Sequence, residues 1–216
     1  MKIIVIGDSN TKGEMLGSKN WTTLLSGLTG IEVVNEGVNG HTTEDARIRL
    51  TNGEINLNGD AVFIMFGTND AVMTEKNKPK VSLSRYRENL LYFINLIRQT
   101  SKKPVLMTVI PLIEGSGGDG YYLSRHHTSF FKDISPRDWV DQYNDIVREI
   151  SDTERVQLID VWQYFLKKSG AEHDPDPDKY LIQSGMIDSS GTHLTAEGAR
   201  ELYTVVSHSL NAKKRI

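Results

Sequence analysis

Cysteine is absent from the 216 residues. Its absence removes any disulfide framework, any thiolate nucleophile and any zinc site built on sulfur. Proline is sparse, with 6 residues, and no linker, internal repeat or low-complexity tract breaks the chain. Long apolar runs are missing too. No segment approaches the roughly 20 apolar residues of a membrane helix, and the first apolar run, Ile3–Ile6, is too short for the core of a secretory leader. A soluble, cytoplasmic protein without membrane insertion is therefore expected, one that reaches the exterior only by lysis or as part of a phage particle. An excess of charge is lacking as well: 25 basic against 28 acidic residues leave a formal −3. So even a balance gives no electrostatic footprint for nucleic acid or another polyanion.

What is present is alternation. A 38% hydrophobic content over this length suits one domain, residues 1–216, with a sizeable core. Short apolar stretches at Lys2–Gly7, Ile31–Asn35, Asp60–Gly67, Pro104–Pro111 and Val156–Val161 are bounded by Gly, Pro, Asn or Asp and read as strands. Their nearly continuous apolar character predicts burial on both faces. Between them, apolar residues recur at helical spacing: Trp21, Leu24, Leu25 and Leu28; Leu90, Phe93, Ile94 and Ile97; Tyr143, Ile146, Val147 and Ile150. A last helix follows Thr195, a capping residue. Strand–helix alternation of this kind predicts an α/β fold, a parallel sheet covered by helices on both faces. Two irregular stretches interrupt it. One is Leu112–Pro136, with Gly115, Gly117, Gly118 and Gly120 among several aromatics; the other is Glu172–Ser184, with Asp174, Asp176 and Asp178 alternating with Pro175 and Pro177.

Open parallel sheets bind ligands beyond the carboxyl ends of their strands. The first three predicted strands end in Gly7-Asp8-Ser9, in Asn35-Glu36-Gly37-Val38-Asn39-Gly40 and in Gly67-Thr68-Asn69-Asp70. Acyl transfer needs such a set: a hydroxyl to attack a carbonyl, and preorganised donors for the oxyanion that develops. Ser9 supplies the hydroxyl. Backbone N–H groups at Ser9 and a glycine, with the Asn69 carboxamide, supply donors. His193, just before the last helix, supplies a general base, the role histidine most often fills.

Two other motifs fail on their letters. Gly7 through Gly13 imitates a phosphate loop, but Lys12 precedes Gly13 and Glu14 follows it, so the Gly-Lys-Ser/Thr ending is missing. Asp174, Asp176 and Asp178 imitate a calcium loop, but Lys179 stands where glycine is needed and Gly185 where the closing glutamate is needed. No metal and no cofactor are expected. Asp8 reads as a turn stabiliser, His126, His127, His173 and His208 as solvent-facing, and His41 as a candidate substrate contact.

The four blocks, in order between residues 5 and 198, resemble those of the SGNH hydrolases, also called the GDSL esterase/lipase family. The resemblance implies a three-layer α/β/α sandwich with a five-stranded parallel sheet of flavodoxin-like order. It also implies Ser9 as nucleophile, His193 as base, and an oxyanion hole from Ser9 N–H, Gly40 N–H and the Asn69 amide; choosing Gly40 over Gly37 rests on the resemblance. One departure stands out. The family places Asp three residues before the histidine, where this chain has Ser190, and the nearest carboxylate is Asp188. Either Asp188 curls back to complete a triad, or a Ser–His dyad works with a backbone carbonyl as acceptor. The family's activities include carbohydrate deacetylation and lysophospholipase or general carboxylesterase action. Irregular stretches rich in Gly, Tyr, His and Asp favour a short acyl group, acetyl above all, on a small-molecule or carbohydrate alcohol. A catalytically silent glycan-binding module is the non-enzymatic alternative.

Overall fold

The computed structural model describes residues 1–28, 30–116 and 118–212; Gly117 of the first irregular stretch lies outside these. In chain order the strands are β1 (Lys2–Gly7), β2 (Glu32–Asn35), β3 (Ala61–Met65), β4 (Met73–Glu75), β5 (Lys78–Pro79), β6 (Lys103–Met107) and β7 (Gln157–Ile159). Five of them form one parallel sheet in the order β2-β1-β3-β6-β7, while β4 and β5 pair as a small antiparallel hairpin. Skipping the hairpin, this is the flavodoxin-like order, whose direction reverses between β1 and β3.

The helices are α1 (Ser9–Lys12), α2 (Trp21–Ser26), α3 (Thr43–Thr51), α4 (Leu83–Gln99), α5 (Pro136–Glu154), α6 (Val161–Ser169), α7 (Asp178–Ser184) and α8 (Ala196–Ala212). On one face α3, α4 and α5 pack side by side; on the other α8 packs against α2 and α6. The sheet between them is buried. Ile3 to Ile6 of β1 and every residue of β3 are buried, and they meet Trp21, Phe93, Tyr143 and Leu202 from the two helical layers.

All five expected strands are present, β1 with the expected bounds and the others with shorter ends. The ladder between β3 and β6 stops at Met65–Met107; beyond it Thr108 N–H still donates to the Ile159 carbonyl at 3.2 Å, and Val109 N–H donates to Asn144 Oδ1 at 3.0 Å. After β7, Asp160 turns into a helix cap and accepts from Gln163 N–H at 3.0 Å. Thr195 caps α8 as expected, its Oγ1 accepting from Gly198 N–H at 3.1 Å. The second irregular stretch is not all loop: α7 occupies its C-terminal half and ends at Gly185 in the left-handed conformation.

Candidate active site

The end of β1 is built for a sharp turn. A Cβ on Gly7 would sit 2.1 Å from Thr11 Oγ1 and 2.8 Å from the Met65 carbonyl oxygen, so only glycine lets α1 fold back against β3. Asp8 then caps α1, its Oδ1 accepting from Asn10 N–H at 2.9 Å, and Ser9 becomes the first helical residue. The glycine block closes in the same manner: a Cβ on Gly37 would meet Lys12 N at 2.4 Å. Carboxamides hold the far end of α1, with Asn35 Nδ2 donating to the Thr11 carbonyl at 2.7 Å and Asn20 Nδ2 to the Lys12 carbonyl at 3.0 Å. Gly40 has φ +75, the left-handed region that disfavours side chains.

One cavity of about 400 Å³ collects the ends of these segments. Ser9, Gly40, Asn69, Asp188 and His193 all line it, together with Glu14, Met15, Leu16 and Asn39. It sits beyond the carboxyl ends of β1 and β3, where the strand order reverses. Asn69 is anchored by its own amide, Nδ2 donating to the His41 carbonyl at 3.1 Å and reaching Asp8 Oδ2 at 3.4 Å. His41 thus takes part through its backbone. Across the rim, Asn39 Nδ2 donates to Glu14 Oε2 at 2.6 Å, and Met15 beside them is 97% exposed.

Sequence reasoning missed Asn10. Its carboxamide is buried and brackets the backbone on either side of His193: Nδ2 donates to the Thr192 carbonyl at 2.9 Å, and Oδ1 accepts from Leu194 N–H at 3.0 Å. The residue next to Ser9 thereby fixes the loop that carries His193. Nothing in the sequence marks it, because an asparagine after Ser9 reads as an ordinary turn residue until its partners in space are known.

Asp188 is near His193 but does not touch it: Oδ2 lies 3.9 Å from Nδ1, beyond hydrogen-bond reach. Ser190 stands between, its Oγ 2.9 Å from Nδ1 and hydrogen-bonded to Asp188 Oδ1. His126, read as solvent-facing, is half-buried and stacks on Tyr122 with ring centroids 4.0 Å apart. His173 and His208 are exposed. Among the described residues, no group of three or more His, Asp or Glu is arranged to hold a metal ion.

Beneath the cavity lie two buried carboxyl groups, Asp8 and Asp70. Burial pushes Asp8 up to about 7, against the opposing bond from Asn10 N–H and with a further push from Asp70. Burial likewise raises Asp70 to about 6, although Thr43 donates to its Oδ1 from N–H at 2.9 Å and from Oγ1 at 2.5 Å. The other oxygen, Asp70 Oδ2, is buried without a partner among the described residues. A carboxyl held above its unfolded value binds a proton on folding, so its contribution is complete below the ordinary 3.8 and is lost as pH rises through the folded value. Stability contributed by this pair is therefore expected to fall between about pH 4 and pH 7. Urea denaturation of wild type and Asp70→Asn at pH 5 and pH 8 tests this. The wild type should lose more stability than the variant over that interval, and equal losses would refute the assignment.

The fold and the family comparison together define a carboxylic ester hydrolase. The chain belongs to the GDSL-like Lipase/Acylhydrolase family, whose model matches residues 5–201. A small-molecule ester is accordingly its substrate class. It is 40% identical over 211 residues to the lipoprotein YqeF of Bacillus subtilis (strain 168), a match covering 93% of this chain and 86% of the relative. Among solved structures it is similar in fold to the acetyl xylan esterase AlAXEase (TM-score 0.73, 19% identity, 97% of this chain and 99% of that one). It is also similar to a catalytic mutant of Axe2, an acetylxylan esterase from Geobacillus stearothermophilus (TM-score 0.68, 22% identity, 96% and 93%). YqeF is a lipoprotein, which overturns the expectation of a cytoplasmic protein. The short apolar run Ile3–Ile6 behind that expectation is a core strand and carries no information about export.

Proposed function

We propose that the protein is a serine esterase that removes short acyl groups, acetyl foremost, from a carbohydrate or other polar alcohol. The observation that carries this reading is the convergence of Ser9, Gly40, Asn69 and His193 on one cavity. His193 takes the proton of Ser9 as the hydroxyl attacks the ester carbonyl. Ser9 N–H, Gly40 N–H and Asn69 Nδ2 hold the oxyanion, the last by turning onto it the hydrogen of its longer bond, 3.4 Å to Asp8 Oδ2, and the alcohol leaves with the proton from His193. Water enters by the same route and releases the acid, returning Ser9 to its starting state. No metal or cofactor has a role in this scheme.

The acetyl preference draws on the two structural relatives named as acetyl xylan esterases. The lipoprotein relative supports a location outside the cytoplasm, anchored at a membrane surface, where polysaccharide esters are within reach. A lysophospholipase or general carboxylesterase is the second reading, and Met15 and Leu16 favour it by offering a longer acyl chain an apolar contact at the rim. Rates on p-nitrophenyl acetate, butyrate and octanoate separate the two. The proposal expects kcat/KM to fall by about 10-fold or more from acetate to octanoate, against the gain of up to about 1–3 kcal/mol that each added methylene would bring in an apolar pocket. A rise with chain length would transfer the assignment to the second reading.

A further inference from the structure

The loop before α8 is held rigidly. Gly191 has φ +73, and a Cβ there would sit 2.3 Å from the Ile113 carbonyl oxygen, so the loop packs flush on the chain beyond β6. Ile113 N–H donates to the Gly191 carbonyl at 3.0 Å, and Asp188 N–H donates to the His193 carbonyl at 2.9 Å. The Arg125 guanidinium donates to the Ser190 carbonyl. Within this frame the Asp188 carboxylate folds back on Ser190: its Oδ1 accepts from Ser190 N–H at 2.9 Å and also hydrogen-bonds Ser190 Oγ.

Counting hydrogens assigns the direction of the bonds along the line from Asp188 through Ser190 to His193; the Thr192 hydroxyl is a further neighbour, its Oγ1 3.1 Å from Ser190 Oγ and 3.4 Å from His193 Nδ1. An ionised carboxylate only accepts, so the single Ser190 hydroxyl hydrogen goes to Asp188 Oδ1. Ser190 Oγ then faces His193 Nδ1 at 2.9 Å with lone pairs alone, and Nδ1 must carry the hydrogen between them. Neutral imidazole has one N–H, so Nε2 is left unprotonated, the state a general base requires.

We propose that Ser190 is a positioning residue that couples Asp188 to His193 through its hydroxyl, in place of the direct carboxylate contact usual in such triads. The inference rests on His193 being the base. The Nδ1 hydrogen and the hydroxyl hydrogen stay on their own atoms throughout; what passes along the bridge is orientation, and stabilisation of the positive ring formed when Nε2 takes the Ser9 proton. The arrangement accounts for the two extra residues of spacing, because a hydroxyl inserted between carboxylate and ring fills the distance that leaves Asp188 at 3.9 Å.

The test compares kcat and KM on p-nitrophenyl acetate for wild type, Ser190→Ala, Ser190→Thr, Asp188→Asn, the Ser190→Ala/Asp188→Asn double variant and His193→Ala, with thermal melting of each. Loss of an orienting carboxylate from a triad costs about 10⁴-fold, and a half-exposed bridge should cost less. Ser190→Ala is expected to lower kcat by about 10- to 100-fold with KM within about 2-fold, and Ser190→Thr, which keeps the hydroxyl, should recover most of the loss. The Asp188→Asn loss should shrink in the Ser190→Ala background, because both groups act through one route. A role confined to loop structure would lower the melting point, give no recovery with threonine and leave the two losses additive. Wild-type kcat in Ser190→Ala beside an inactive His193→Ala would overturn the bridge alone. An active His193→Ala would overturn the bridge and the base assignment together.

Discussion

Ser9→Ala is expected to lower kcat on p-nitrophenyl acetate by about 10⁴- to 10⁶-fold, because covalent catalysis ends and only oxyanion binding and positioning remain. The fold should not notice. Ser9 is the first residue of α1, where alanine is a good helix former, and the cap at Asp8 uses the Asn10 N–H rather than the Ser9 hydroxyl. Stability should stay within about 0.5 kcal/mol of wild type, which separates loss of chemistry from loss of structure. Folded Ser9→Ala protein that keeps near-native turnover would end the acyl-enzyme scheme.

Asn10→Ala is expected to act on the fold and the site together. Removing the carboxamide strands the Thr192 carbonyl and the Leu194 N–H in a buried region, at about 1–3 kcal/mol for each unsatisfied group. An overall loss of about 2–4 kcal/mol in urea denaturation is the expected result. Turnover should fall as well, by about 10- to 100-fold, since the loop bearing His193 loses its tie to the turn bearing Ser9. Asn10→Asp sharpens the test. It keeps the acceptor for Leu194 N–H but sets a carboxylate oxygen against the Thr192 carbonyl, so the donor half of the bracket is probed by itself. A loss below about 1 kcal/mol in Asn10→Ala would show that the bracket is incidental.

The sheet was legible because parallel strands buried on both faces have to be apolar almost throughout, and Ile3–Ile6 and Ala61–Met65 are. Helices with one apolar stripe, α4 and α5, were equally plain from Leu90–Ile97 and Tyr143–Ile150. The helix α3 was not, because Thr43–Thr51 carries few apolar residues and no apolar stripe; its one sequence signal is the capping box between Thr42 and Asp45. The β4–β5 hairpin is too short for any alternation to register. Within the site, Ser9, Gly40 and Asn69 were legible as motif letters after strand ends and His193 as one before the last helix, and all four line the cavity. The roles of Asn10 and Ser190 were hidden for a different reason. Each depends on which neighbour a small polar group meets in space, and the same letters on another loop would be ordinary turn residues.

The bracket formed by Asn10 joins residues 182 and 184 positions apart. During synthesis Ser9 and Asn10 emerge well before Thr192 and Leu194, which lie more than 180 residues further along the chain. Closing so long a loop costs entropy that must be met before the contact rewards it, so the bracket is expected to form late in folding. The nascent protein is consequently an unarmed hydrolase. Ser9 waits at the end of β1, and His193, the base of the proposed scheme, comes into place only when α8 docks against α2.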